Sequence, residues 1–166
     1  MQPQNSTNRK APLLSWDIFC AKYNSLEEDA IKYKQSMTAI KHIAKINKWS
    51  REQTLEALEN LQHYIIVITD PLQHIAFAGR GFYEMTGYHF DEVKGRNPKF
   101  LQGEKTNKKN TQRLKEQLEH KEPTEVILEN YRKNGELYLC KIIIKPIVNI
   151  HRQLVNYIAY EQEIAA

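Results

Sequence analysis

The chain has 166 residues, 24 Lys+Arg against 20 Asp+Glu, a formal net charge of +4 and 41% hydrophobic residues. That length fits one domain, or one small domain with an extension, and it can bury a core without disulfides or metals. The longest strongly apolar run, residues 64–68, is far short of a membrane span, residues 2–10 lack the apolar core of a signal peptide, and so small a net charge does not name nucleic acid as a partner.

A cytoplasmic protein is therefore expected. Cys20 and Cys140 have neither a CxxC context nor a histidine at ligand spacing, so both are expected to be small buried hydrophobes rather than a zinc or redox pair.

In chain order, residues 13–23 read as a short amphipathic helix carrying Trp16, Ile18 and Phe19. Ser25-Leu26-Glu27-Glu28 has the capping-box pattern, which predicts a fresh helix start there. Behind it Leu26, Ala30, Tyr33, Met37, Ile40 and Ala44 recur at spacings of three and four, one helix face running to about Trp49. Ser50-Arg51-Glu52-Gln53 is a second capping box, opening a helix with Leu55, Leu58 and Leu61 on one side. Residues 64–69 are β-branched and apolar and predict a buried strand, turned at Asp70-Pro71 and followed by a second strand over 74–78. Short helices are expected over 81–86 and 90–93, broken by Gly87 and Gly95, and a longer amphipathic helix over 106–120 with Leu114 and Leu118 one turn apart. Three strands follow over 124–131, 137–147 and 154–162, the first two joined by the hairpin signal Lys133-Asn134-Gly135. This order is that of an α+β fold.

Residues 64–163 resemble a PAS domain, and within that superfamily the LOV (light-oxygen-voltage) branch. The likeness is carried by Ile68-Thr69-Asp70-Pro71, by the run from Phe82 to Tyr88, and above all by Gly95-Arg96-Asn97-Pro98-Lys99-Phe100-Leu101-Gln102-Gly103, which is close to the family word GRNCRFLQG. The run from Glu129 to Gly135 and the stretch 157–162 match the last strands. The resemblance implies a five-stranded antiparallel sheet with short helices over 63–166, preceded by a helical extension over 1–62.

It also implies a flavin mononucleotide (FMN) site. LOV domains use the cysteine of that word to add to the flavin ring under blue light, and here the position is Pro98, which has no nucleophile. Asn97 and Gln102 match residues that hold the ribityl chain. Lys99 and Lys115 stand where the family has phosphate-contacting arginines, keeping the charge but losing the bidentate fork. Asn130 matches one of two asparagines that read the polar edge of the ring, and Cys140 replaces the other. Gln162 matches the glutamine on the reactive side of the ring. Two positions earlier, Tyr160 is expected on the same strand face, where it could fill the flavin's space or donate an electron to it.

Asn97, Gln102, Asn130 and Gln162 could equally satisfy turns or buried backbone groups with no ligand. Residues 94–115 hold eight basic side chains and one acid, a cluster suited to a phosphate or to a solvated helix face, but without the aromatic interleaving or helix-turn-helix pattern of a nucleic-acid binder. Catalytic fingerprints are absent and the six histidines are scattered, so an enzyme is not expected.

Two readings follow. One is a flavin-binding photo- or redox sensor that cannot form the cysteinyl adduct, with a Tyr or Trp as electron donor. The other is a flavin-free PAS module for dimerisation, partner binding or another small ligand. In both, the N-terminal helices could cover the open face of the sheet, or the Leu26–Ala44 stripe could pair with its copy, and a homodimer through these helices is expected. With ~100 residues of sensor and ~60 of helix, the output is expected to lie on a separate signalling protein.

Overall fold

The computed structural model describes residues 15–165, with side chains from residue 17 onward. The expectations for residues 2–10, Leu13 and the Trp16 side chain lie outside the described residues. Residues up to Lys32 group as one unit and Tyr33–Ala166 as another.

Helix α1 runs unbroken over Ser15–Ile46. The predicted restart at Ser25 does not occur, because residues 15–46 contain no Gly or Pro to interrupt the backbone and a serine inside a helix costs only a few tenths of a kcal/mol. The stripe also divides. Tyr33, Met37, Ile40 and Ala44 join a hydrophobic cluster, whereas Leu26 is 60% exposed. Helix α1 ends where Lys48 turns left-handed at φ 55° and Trp49 N–H reaches back to the Ala44 carbonyl (2.9 Å), the bonding of a Schellman cap. Helix α2 (Arg51–Asn60) opens on the predicted capping box: Ser50 accepts from Gln53 N–H, and the Gln53 side chain accepts from Ser50 N–H. Its inward residues are Ala57 and Leu61, with Leu58 partly buried; Leu55 is 45% exposed.

The sheet is built from β1 (Ile65–Thr69), β2 (Ile75–Ala78), β3 (Thr124–Tyr131), β4 (Leu137–Val148) and β5 (Leu154–Ile164). All pairs are antiparallel in the order β2-β1-β5-β4-β3. The β3–β4 hairpin turns at Gly135, whose φ of 87° is cheap only for glycine. Because strand residues alternate faces, the register divides the sheet cleanly. Ile66, Ile68, Ile147, Ile158 and Tyr160 pack with Ile40, Ala44, Ala57 and Leu61 of the helices. Completely burying a residue such as Ile40 contributes roughly 2–3 kcal/mol. This layer is tied down by polar bonds as well. Trp49 Nε1–H donates to Asn156 Oδ1 (2.9 Å), and Asn156 Nδ2–H donates to the Thr69 carbonyl (2.9 Å).

The opposite face carries α3 (Phe82–Thr86), α4 (Phe90–Val93), a 3-10 turn (Pro98–Leu101) and α5 (Lys108–Glu119). Two clusters fix these short elements. Val67, Ile75, Phe82 and Val93 form one, and Met85, Leu128, Tyr138, Cys140 and Ile142 form the other. The expected burial of Cys140 is met, since it is fully inaccessible, while Cys20 is only half-buried.

Candidate functional site

The face of the sheet that carries the short helices, together with the 3-10 turn and α5, encloses a cavity of about 200 Å³. A cavity of ~150 Å³ lined by aliphatic side chains holds a benzene ring, so this one has room for a planar ring system. Its walls are mainly apolar, with Val67, Leu101, Leu128, Ile142, Ile144 and Ala159 among them.

The polar groups come from three places. The 3-10 turn is nucleated by Asn97, whose Oδ1 accepts from Lys99 N–H (3.1 Å), and by Pro98, whose fixed φ suits the first position of a helical turn. This presents Pro98 and Lys99 to the cavity, and Gln102 next in line forms an isolated bridge with Asn130 on β3. Lys115 of α5 lines the cavity from the other side, 3.8 Å from Glu119 across one helical turn. Both lysines are otherwise exposed, so their ammonium groups stay hydrated while their stems line the wall.

The deepest polar groups are Asn130, 3% exposed, and Glu161, 5% exposed. Asn130 Oδ1 and Glu161 Oε2 are both buried with no hydrogen-bond partner; so is the hydroxyl of Tyr138, which stands opposite Asn130 on β4 but is not part of the cavity lining. Buried polar atoms are nearly always paired, so two such atoms on one cavity mark where a ligand's own polar groups belong. Burial alone pushes the Glu161 carboxyl up to about 7. Tyr157, also on the wall, donates its hydroxyl to the Leu118 carbonyl (3.0 Å) and so ties β5 to α5.

Of the residues expected at the site, Asn97, Lys99, Gln102, Lys115 and Asn130 all line the cavity. Gln162 does not: it is exposed and of the opposite strand parity. The register explains the difference. Tyr160 lies opposite Ile66 on β1 and Ile143 on β4, which puts it with the helices, in edge contact with Tyr64. Glu161 and Ala159 therefore face the cavity, and the place expected for Gln162 is taken by Glu161. The expectation that Tyr160 points into the pocket, to fill it or to donate an electron, is corrected with it: Tyr160 does share a face with Gln162, but that face is turned to the helices, and the cavity face carries Ala159 and Glu161. Cys140 lies deeper on the cavity side of β4 and is not part of the lining; burial raises its thiol well above the ordinary range, away from a reactive thiolate.

Among the described residues there is no cluster of metal-ligating side chains, and no helix is long and apolar enough to cross a membrane.

Comparison with known proteins adds the ancestry of this arrangement. The family model described as PAS domain matches residues 63–166. A blue-light photoreceptor of Listeria monocytogenes is 38% identical over 103 residues, 60% of this chain and 40% of that protein. A blue-light-activated histidine kinase of Brucella canis is 32% identical over 94 residues, 57% of this chain and 19% of that protein. The chain thus spans well under two thirds of the length of these relatives. A solved light-oxygen-voltage domain, studied with a flavin analogue, superposes with a TM-score of 0.63 at 34% identity, covering 66% of this chain and 85% of that one. The chain belongs to the PAS domain family, on its light-oxygen-voltage branch of sensory domains.

Proposed function

We propose that this chain is the sensory part of a flavin-binding light or redox receptor, with the sensor over residues 63–166 and residues 1–62 as its extension. The observation that carries the reading is the pair of buried, unpartnered oxygens, Asn130 Oδ1 and Glu161 Oε2, on an apolar cavity of ring size. A flavin, when bound, supplies blue-light absorption and electron-transfer chemistry. The chain's own residues would do the rest. Asn130 accepts a hydrogen bond from the ring's N–H, and Asn97 and Gln102 offer amides to the ribityl hydroxyls. Lys99 and Lys115 neutralise a phosphate at the mouth. The apolar walls exclude water. Pro98 carries no nucleophile and the Cys140 thiol is kept protonated, so this site holds its ligand without a protein–sulfur bond.

The exposed apolar residues of α1 (Ile18, Phe19, Tyr23 and Leu26) favour a second element of the reading, a homodimer paired through this helix. Reception rather than catalysis is then its role, with the response passed to a separate signalling protein in the cytoplasm. The flavin-free alternative loses the support expected from Tyr160, which lies on the other face of the sheet.

The test is direct. Full-length protein expressed with added FMN should purify yellow, with the blue absorbance of an oxidised flavin, and should form no cysteinyl adduct on illumination. Colourless protein that also fails to bind FMN on titration overturns the flavin reading. A monomeric mass in light scattering at high concentration overturns the helix pairing.

A further inference from the structure

Glu161 is a carboxyl where a neutral donor would be simpler. It lies on β5 between Ile65 of β1 and Ile142 of β4, faces the cavity, and leaves Oε2 unpartnered. None of the ion pairs among the described residues includes it. Its titratable surroundings are few. Tyr138 and Cys140 on β4 are held in their neutral forms by burial, and each carries a Coulombic influence from Glu161. Across the cavity, the turn and α5 contribute Lys99, Lys115 and Glu119, all exposed, with Lys115 beside Glu119. The lining has no histidine. No cation therefore compensates a carboxylate at this depth, and burial pushes the group up to about 7.

The two unpartnered oxygens of the cavity lining also differ in kind. Asn130 Oδ1 can only accept, whereas a protonated Glu161 can donate. Together they fit a ring that offers both an N–H and a hydrogen-bond acceptor, which is the chemistry of an imide-bearing heterocycle. We infer that Glu161 meets the bound ring as a carboxylic acid, donating its proton in a hydrogen bond to a ring acceptor, so that binding captures a proton from water and pH sets how firmly the ring is held. This inference rests on the flavin reading above and adds to it a regulation of the same site. Deprotonation would turn the donor into a second acceptor and oppose the ring's own lone pairs.

The test uses riboflavin, which lacks the titrating phosphate of FMN, against the full chain. Binding is followed by flavin fluorescence, and proton uptake by calorimetry in two buffers of different ionisation enthalpy. With Glu161 titrating at about 7, affinity should fall roughly 25-fold between about pH 6.5 and about pH 8.5, with nearly one proton captured per flavin at the upper end. An amide donates at every pH, so Glu161→Gln should bind with nearly constant affinity and capture no proton. Flat affinity and no proton uptake in the unaltered chain overturn the inference, as does a Glu161→Gln variant that keeps the full slope. Should that variant fail to fold, the proton count on the unaltered chain decides alone. Failure to bind either riboflavin or FMN at any pH sinks the flavin reading and this inference together; binding without pH dependence sinks only the inference.

Discussion

Replacing Glu161 by Gln should stabilise the ligand-free fold, and by an amount that depends on pH in a defined way. In the unfolded chain the carboxyl titrates near 4.5, and in the folded chain burial raises it to about 7. An acid raised on folding holds its proton more tightly in the native state, so it costs nothing while protonated in both states. Its cost begins as pH rises past the unfolded value and levels off once pH exceeds the folded one. The interval between the two values, at ~1.4 kcal/mol per pH unit, corresponds to about 3 kcal/mol at full extent. Glutamine has the same shape and no charge. Glu161→Gln should therefore gain about 3 kcal/mol over the parent at about pH 8.5, roughly 10 °C in melting temperature, and only about 1 kcal/mol at about pH 5. Urea unfolding of ligand-free protein, followed by circular dichroism at the two pH values, measures both differences. An equal gain at both, or none at the higher pH, would mean that Glu161 reaches water or a partner and that the buried-acid argument is wrong.

Three other variants probe different parts of the molecule. Trp49→Phe removes the indole N–H that Asn156 Oδ1 accepts and leaves that buried oxygen unpaired, which should lower stability by about 1–3 kcal/mol in urea unfolding. Gly103→Ala would set a Cβ 2.5 Å from the Tyr131 ring. Displacing Tyr131 also breaks its hydroxyl's bond to Lys105 N–H (3.1 Å), and the variant should lose about 1–3 kcal/mol. Replacing Lys99 and Lys115 together by Ala should weaken FMN at least tenfold while leaving riboflavin nearly unchanged; equal losses for both flavins would show that the lysines do not hold the phosphate.

Local chemistry made much of this molecule readable in advance. Thr124–Tyr131 was bounded by its β-branched run and by a turn only glycine completes cheaply, and the observed strand has the same ends. The second capping box was likewise visible, because it is decided within four residues. What could not be read depended on partners far along the chain. The Ser25 box is a start signal only where the backbone leaves the helix, and nothing near Ser25 makes it do so. In Tyr160-Glu161-Gln162, no neighbour distinguishes the two faces of a strand that is buried on both. That choice is made by β1, whose Ile66 stands opposite Tyr160. One position of parity then exchanged an exposed amide for a buried acid, and with it the chemistry of the cavity.

The side chain of Asn156 joins two parts of the molecule at once. Its oxygen serves the corner between α1 and α2, and its amide serves the carbonyl of Thr69, a residue of the cavity wall. Opening either end strands a buried polar atom at the other, so the corner and the wall open together rather than separately. In hydrogen exchange the amides around Trp49 and those around Thr69 should thus carry one protection factor. The indole of Trp49 becomes a fluorophore placed by the fold to register what happens at a cavity it does not touch.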